Sequence, residues 1–294
     1  MDRDACLLVN PSAGGGKAAR VLPDVEAELR RLGIAFRTER TDSLEHANEL
    51  AGAAARAGEA VVTLSGDGLV GAVVGVLRDV PDALLGVLPG GRGNDFARVL
   101  GIPLEPVPAC ATLAEGEVRE LDIGDVDGRS FIGIASLGFD SVANELANQA
   151  PKWLGSQAYT YAALRALATW KPATFTVEAG DRTTTFAGWS VAAANSKAYG
   201  GGMFVAPDAD LEDGELDIVL SSRTTKRKFL AVLPKVFKGE HVHEDSVTVL
   251  RAPSVRVSAD RPFTVYADGD PIGDLPVTIR AVPRALKVLC PRAS

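Results

Sequence analysis

A carboxylate stands inside a glycine-rich loop in the first half of the chain. Residues 60–77 read AVVTLSGDGLVGAVVGVL, in which Gly66, Gly68 and Gly71 form G-x-G-x-x-G between an apolar strand and an apolar helix. This pattern is typical of a dinucleotide site, where backbone N–H groups hold a diphosphate. Asp67, between the first two glycines, would repel a diphosphate unless a cation lay between them. The loop therefore predicts a phosphate site that works with a divalent cation.

The surroundings of this loop argue against a nicotinamide dinucleotide. In a dinucleotide-binding fold the loop follows the first strand, and the next strand ends in an acid that binds the ribose. Here the loop follows the third predicted strand, and the next strand ends in a second glycine-rich loop, LPGGRGNDFAR at 88–98. An NAD(P)-binding oxidoreductase is thus an alternative that the context disfavours.

A third glycine-rich loop lies near the N-terminus, in LVNPSAGGGKAAR at 8–20. It is not a P-loop, because the glycine six places before Lys17 is absent and Ala18 replaces the serine or threonine. It still offers free backbone N–H groups to an anion, and the alternative is a simple tight turn. A kinase accounts for the three loops together, because such loops can surround a triphosphate while Asp67 engages phosphate-bound Mg²⁺.

Composition narrows the class of protein. The chain has 294 residues, 46% hydrophobic and 23% charged, with a net charge of -7, which indicates a globular protein and argues against a nucleic-acid binder. The three cysteines have no C-x-x-C spacing, which predicts reduced thiols and a cytoplasmic location. No apolar run is long enough to span a membrane, so any membrane contact is expected to be peripheral.

The pattern of predicted elements changes along the chain. Apolar strands alternate with helical patterns over the first 120 residues or so, which predicts an α/β domain with a largely parallel sheet. Short strands separated by Gly, Asp and Pro turns follow, which predicts a mostly antiparallel β-sandwich, interrupted by helices around 154–170 and 225–238. We place the domains at 1–121 and 122–283, with the last strand, 284–294, returning to the first domain.

Six stretches carry a family resemblance. In chain order they are NPSAGGGK, SGDGLVGAVV, LPGGRGNDFAR, SLGFDSVAN, YGGGMFVAPDADLEDGELDIVL and YADGD. Together they resemble the motifs of the bacterial diacylglycerol kinase-type lipid kinases, a family related to sphingosine kinases and, more distantly, to NAD kinases. The resemblance covers nearly the whole chain and implies ATP-dependent phosphate transfer to the hydroxyl of diacylglycerol or a related lipid, in a cleft between the two domains.

The resemblance also implies roles for individual residues. Asp67 would act through Mg²⁺, and Asp268 and Asp270 occupy the family's Asp-Gly-Glu positions, whose last acid is proposed as general base. A second, structural Mg²⁺ would be held by Asp210, Asp213 and the carbonyl of Glu215. The expected nucleotide-binding residues are Asn10, Pro11, Ser12, Ala13, Gly14, Thr41, Ser65, Gly66, Asp67, Gly68, Leu69, Gly71, Gly91, Arg92, Asn94 and Asp95.

The chain departs from the family pattern at several of these positions. Leu69 and Arg92 replace threonines, and Asp270 replaces a glutamate. A leucine cannot donate a hydrogen bond to phosphate, whereas an arginine can donate two. We therefore predict an active but divergent lipid kinase, with a pseudokinase that binds nucleotide or lipid as the alternative.

The segment 225–238 has both apolar and basic residues at helical spacing. The apolar residues are Phe229, Leu230, Leu233, Val236 and Phe237, and the basic ones are Lys226, Arg227, Lys228, Lys235 and Lys238. We expect the apolar face to pack on the β-sandwich, with docking at the inner face of a membrane as the alternative. The sequence carries no signal for oligomeric state, so a homodimer stays open.

Overall fold

The computed structural model describes residues 3–149 and 158–292. Its N-terminal part is a parallel sheet of four strands in the order β4-β3-β1-β2, with helices on both faces. Three of these strands are buried along their whole length, as expected for parallel strands covered on both sides. The strands are β1 (Ala5–Val9), β2 (Phe36–Arg40), β3 (Ala60–Ser65) and β4 (Leu84–Pro89), and the helices are α1 (Ala13–Arg31), α2 (Leu44–Arg56), α3 (Asp67–Leu77), α4 (Asp95–Val99) and α5 (Pro106–Glu115).

The C-terminal part is a mostly antiparallel β-sandwich, as predicted. Its core contains an aromatic cluster that includes Trp189 and Phe175, both buried. The strands are β6 (Arg129–Phe131), β7 (Ile134–Gly138), β8 (Ala173–Ala179), β9 (Arg182–Ala194), β10 (Leu216–Ser222), β11 (Val247–Ala252), β12 (Ser254–Ala259), β13 (Thr264–Ala267) and β14 (Asp270–Asp274). The helices are α6 (Phe139–Asn148), α7 (Ala158–Thr169) and α8 (Lys226–Val232).

A long two-stranded ribbon joins the two parts. It consists of β5 (Glu117–Val126) and β15 (Val277–Cys290), which pair antiparallel from Val126↔Ile279 to Glu117↔Cys290. One end of β15 pairs with β12 of the sandwich, and the other pairs in parallel with β4. The domain limits expected at 121/122 and 283/284 fall inside this ribbon and stay a prediction.

The two predicted helices of the sandwich differ in part from the expectation. α7 is described from Ala158, and the residues before it, 150–157, lie outside the described part of the chain. α8 ends at Val232 and continues as two short 3₁₀ segments, Leu233–Lys238 and Glu240–His243. Pro234 explains the change, because it has no N–H for the next α-helical hydrogen bond.

The expected packing of this segment is only half right. Phe229 stacks on Trp189 with ring centroids 4.0 Å apart, and Val236 is partly buried. Leu230, Leu233 and Phe237 point outward instead and are all exposed. For Leu233 and Phe237 the reason is that the 3₁₀ turns rotate the chain relative to an α-helix, whereas Leu230 lies on α8 itself and faces outward there. No helix within the described residues is both long enough and apolar enough to cross a membrane.

A buried ion pair fixes α3 against the ribbon. Asp125 on β5 has a side chain only 1% exposed, and it accepts hydrogen bonds from Arg78 Nη1 at 2.9 Å and Gly128 N at 3.0 Å. Burial raises the pKa of Asp125, but the donors from Arg78 and Gly128 outweigh it and hold the pKa below its ordinary value. Since Arg78 caps the helix that begins at Asp67, this pair sets the position of the carboxylate loop.

Replacing Arg78 tests this coupling. We expect Arg78→Leu to lower the free energy of unfolding in urea by about 2–4 kcal/mol at neutral pH, because the buried carboxylate of Asp125 then keeps only one arginine partner, the exposed Arg280 at 3.1 Å. Because the pKa of Asp125 is lowered in the folded protein, the ion pair stabilises it fully above the ordinary carboxyl pKa of about 4 and less below it. The loss of stability in Arg78→Leu should therefore shrink as the pH falls below about 4. The matched control is Arg31→Leu, whose exposed pair with Glu28 should leave the urea midpoint unchanged; equal losses in both variants would contradict the coupling.

Candidate active site

The three glycine-rich loops meet at the carboxyl edge of the parallel sheet. β1, β3 and β4 run in the same direction, so the loops that follow them leave the sheet side by side. A Cβ on Gly91 would lie 2.4 Å from Gly66 Cα, and one on Gly14 would lie 2.5 Å from Gly90 O. Gly14 also has φ +60°, which disfavours a side chain. The glycines thus allow a backbone packing that no other residue permits.

Several polar side chains predicted to bind nucleotide hold the loops in shape. Asn94, buried and left-handed with φ 52°, accepts a hydrogen bond from Gly91 N at 2.9 Å and donates one to Gly91 O at 3.2 Å. Asn10 accepts from Ser12 N at 3.0 Å, and Thr41 donates to the last carbonyl of β1 at 3.3 Å. The loops therefore offer mainly backbone N–H groups to a ligand.

Two carboxylates lie close together where the second and third loops meet. Asp67 Oδ1 accepts a hydrogen bond from Phe96 N at 3.1 Å, and Asp95 Oδ2 accepts one from Gly201 N at 2.7 Å. A Cβ built on Gly93 would lie 3.2 Å from Asp67 Oδ2 and 3.2 Å from Asp95 Oδ2, so the two carboxylates approach the same glycine. Burial raises the pKa of Asp95, the Gly201 N–H opposes the rise, and the negative charge of Asp67 adds to it.

Asp268 is presented by a tight hairpin turn. It and Gly269 join β13 to β14 with φ values of 51° and 97°, the left-handed conformation that Asp-Gly favours in two-residue hairpins. Its Oδ2 accepts from Ile132 N at 2.8 Å, and its Oδ1 accepts from Gly133 N at 3.0 Å and Ile134 N at 3.3 Å. The carboxylate is thus held by three consecutive backbone donors.

Desolvation sets the protonation of Asp268. Burial raises the pKa of Asp268 to about 6, with the charge of Asp67 contributing, although the three N–H donors favour the ionised form. Gly133 is essential to this arrangement, because a Cβ there would lie 2.4 Å from Asp268 Oδ1. The sequence motifs did not single out the 132–134 turn, and the only local signal was the glycine itself.

The carboxylates line a cleft of about 460 Å³ between the loops and the sandwich. Phe96, Ile132 and Met203 provide apolar wall, and the glycine turn 200–202 forms part of the rim. A second cavity of about 170 Å³ lies on the far side of Asp67 and Asp268, which border both spaces. If each cavity held a ligand, the two ligands would approach one another beside Asp67 and Asp268.

Arg92 is the one basic residue among the described residues that line the larger cleft. It is exposed and has no hydrogen bond or ion pair with any other described residue. Two other arginines already have backbone acceptors: Arg98 donates to Gly93 O at 3.2 Å, and Arg129, which lines the smaller cavity, donates to Ile272 O at 3.1 Å. Arg92 therefore keeps its donors for a ligand.

Other predicted residues lie at varying distance from the cleft. The Leu69 side chain is 3% exposed in the core of the N-terminal part, so only its backbone can serve a nucleotide. Gly71 and Asp270 line the smaller cavity, and Asp270 is exposed. Ser65 is buried as the last residue of β3.

The predicted structural magnesium site is an acidic turn. Asp210 accepts a hydrogen bond from Glu212 N at 3.1 Å, and Asp213 accepts one from Glu215 N at 2.9 Å. Asp213 also lies 3.8 Å from Arg251. Within the described residues, no three His, Cys, Asp or Glu side chains come close enough together to hold a metal. This second Mg²⁺ site stays a prediction that rests on the resemblance.

Comparisons with known proteins agree with this architecture. Residues 4–126 match the family described as diacylglycerol kinase catalytic domain, and residues 133–290 match the YegS C-terminal NAD kinase beta sandwich-like domain. The chain is 35% identical to a diacylglycerol kinase of Mycobacterium tuberculosis, covering 97% of this chain and 94% of the relative. It is 29% identical to a diacylglycerol kinase of Bacillus subtilis, with coverage of 98% and 96%.

A solved structure supports the fold. A crystal structure of a diacylglycerol kinase from Bacillus anthracis superposes with a TM-score of 0.76, covering 98% of this chain and 97% of that one at 18% identity. Two matching domain families in the expected order and a relative of 35% identity over nearly the full length establish the relationship. The chain belongs to the diacylglycerol kinase-type family of ATP-dependent lipid kinases.

Proposed function

We propose that this lipid kinase transfers the γ-phosphate of ATP to the free hydroxyl of diacylglycerol or a closely related lipid. The observation that carries the proposal is the position of Asp268, a carboxylate with a pKa of about 6 that borders both cavities beside Asp67. The names of the relatives support diacylglycerol as the acceptor. The apolar wall of Phe96, Ile132 and Met203 suits the glyceride part of such a lipid.

The loops supply the phosphate site in this proposal. The glycine loops that lead into α1 and α3 leave the carboxyl edge of the parallel sheet and would offer backbone N–H groups to the phosphates there. Asp67 and Asp95 fit a magnesium ion, because Asp95 Oδ1 is a buried oxygen that accepts no hydrogen bond from the described residues and has only Arg98 Nε nearby, at 3.8 Å. Carboxylates together with phosphate oxygens are the usual Mg²⁺ ligands in kinases, and the ion neutralises phosphate charge when bound.

Arg92 replaces the missing threonine hydroxyl in this account. Three carboxylates line the cleft against one basic residue, so a triphosphate needs positive charge from outside or from Arg92. A guanidinium donates two parallel hydrogen bonds to a phosphate and remains charged at every physiological pH. The Leu69 side chain is buried in the core and makes no contact with the phosphate site, so Arg92 is the residue of the two that can supply the lost hydrogen bond.

Asp268 acts as the general base. A carboxylate has four acceptor positions, and three of them are occupied by the 132–134 N–H groups, so one remains for the lipid hydroxyl. The hydroxyl oxygen attacks the γ-phosphorus as its proton passes to Asp268, and ADP leaves in line. Asp270 is exposed in the smaller cavity and has no such donors among the described residues, so we assign it no proton transfer.

The lipid acceptor resides in a membrane, so we also propose that the kinase works at a membrane surface. This requires only peripheral contact, since the substrate can be reached from the aqueous side when the cleft faces the bilayer.

Replacing Asp268 tests its role. Asp268→Asn should lower kcat for diacylglycerol phosphorylation by about 10²–10⁴-fold, the usual contribution of a general base, and leave the dissociation constant for ADP unchanged. The matched control is Asp270→Asn, expected to keep kcat within about threefold, because that residue takes no proton. Thermal melts of both variants would show whether the hairpin stays folded. Full turnover by Asp268→Asn would remove this residue from the mechanism.

The pH dependence provides an independent test. A base with a pKa of about 6 must be ionised to act, so kcat/KM should be level near neutrality and fall tenfold per pH unit well below pH 6. The Asp270→Asn variant should keep the same acid limb. A limb that lies near pH 4 in a protein still folded at that pH would contradict the assignment of Asp268.

Replacing Arg92 tests the phosphate contact. Arg92→Ala should lower kcat/KM for ATP by about 10–150-fold, the loss expected for one hydrogen bond to a charged group. Arg92→Lys should recover part of this loss, and Arg182→Ala, an exposed arginine on the β8–β9 hairpin, should cause none. An unchanged kcat/KM for Arg92→Ala would show that the backbone loops alone hold the phosphates.

A further inference from the structure

Exposed apolar side chains are concentrated on two neighbouring helical segments of the sandwich. Leu230, Leu233 and Phe237, on α8 and the 3₁₀ segment after it, are 44%, 37% and 53% exposed. Tyr161 and Leu164 on α7 are 43% and 58% exposed. These five residues, here called the docking face, are five of the eight exposed large hydrophobic residues in the described part of the chain. Such a concentration is typical of an interaction surface.

A hydrogen bond joins the two helices. Lys226 Nζ at the start of α8 donates a hydrogen bond to Ala168 O near the end of α7 at 2.9 Å. Tyr161, Leu164 and Ala168 are spaced i, i+3 and i+7, so they lie on one face of α7. The hydrogen bond to Ala168 O places the end of α7 beside the start of α8, so the two helices are neighbours on the surface of the sandwich.

The docking face is bordered by positive charge in a protein of net charge -7. Five basic residues lie on the segment from α8 to the first 3₁₀ turn. Glu244 pairs with Lys235 at 2.6 Å and with Lys228 at 3.9 Å. Arg227 and Lys238 have no acidic partner among the described residues. Basic residues around an apolar helix face are the features of a segment that lies on an anionic bilayer.

The same segment is tied to the rim of the cleft. Phe204 N donates to Val236 O at 2.9 Å, and the buried His241 ring contacts Val205 O through Nε2 at 3.0 Å. Burial lowers the pKa of His241, so the ring is neutral near pH 7 and Nε2–H donates to that carbonyl. Phe204 lies two residues after the glycine turn 200–202, whose Gly201 N–H donates to Asp95 Oδ2. The docking face and the catalytic cleft are thus connected through a few residues of chain.

We propose that the docking face inserts into an anionic bilayer and so presents the mouth of the cleft to its lipid acceptor. The proposal rests on the lipid kinase function proposed above and names the surface that serves it. A second copy of the chain fits this face poorly, because a symmetric dimer would bring the same five basic residues together. A bilayer that carries phosphatidylglycerol supplies both the apolar interior and the complementary charge.

The first test measures binding to vesicles. The variant Leu230→Gln/Leu233→Gln/Phe237→Gln removes three exposed apolar side chains, and Val118→Gln, on an exposed position of β5 that is 51% accessible, is the control. Sedimentation with vesicles of equal parts phosphatidylglycerol and phosphatidylcholine should show about tenfold or greater loss of binding for the triple variant and none for the control. Wild-type protein should bind pure phosphatidylcholine vesicles at least about tenfold more weakly.

The second test separates docking from catalysis. On a short-chain, water-soluble diacylglycerol the triple variant should keep its turnover within about twofold of wild type, while turnover of long-chain diacylglycerol in the vesicles falls with binding. Equal vesicle binding by variant and wild type would overturn the proposal. So would a wild-type dimer that the triple variant converts to a monomer, since the face would then be a subunit contact. If wild type binds vesicles but phosphorylates neither diacylglycerol, the proposed function fails and the docking face stands.

Discussion

Three carboxylates share one cleft, and each is held there by backbone N–H donors from another part of the chain. Asp67 accepts from the start of α4, Asp95 from the glycine turn of the sandwich, and Asp268 from the 132–134 turn. Like charges this close repel, so the arrangement persists only because each carboxylate has fixed donors. The rest of the structure serves to bring these donors from both parts of the molecule to the same place.

The long ribbon of β5 and β15 makes this possible. Because β15 pairs with β4 of the parallel sheet and with β12 of the sandwich, the two parts share backbone hydrogen bonds and not only side-chain contacts. The buried pair of Arg78 and Asp125 then fixes α3, and with it Asp67, against the ribbon. Backbone hydrogen bonds and a buried ion pair hold the carboxylates rigidly. Such rigidity suits a reaction that depends on in-line alignment of phosphate and hydroxyl.

Much of the site was accessible from the sequence, for physical reasons. Strands that alternate with helices must run parallel, so the loops after β1, β3 and β4 were expected at one edge, and the glycines marked them as phosphate loops. Other features depend on contacts between distant residues. The donors to Asp268 lie more than 130 positions away in sequence, and no local pattern reveals them. Likewise, the Leu69 side chain is buried and the Leu230 side chain is exposed because of tertiary packing, which the hydrophobic periodicity of the sequence does not predict.

The most direct measurement of the central claim follows the phosphate itself. Purified protein would be incubated with Mg²⁺, ATP labelled at the γ-phosphate and diacylglycerol in mixed vesicles, and the products would be separated into lipid and aqueous fractions. The account predicts that the label appears in phosphatidate, with one ADP formed for each lipid phosphorylated. Label that stays in ATP, or that appears only as inorganic phosphate, would contradict it.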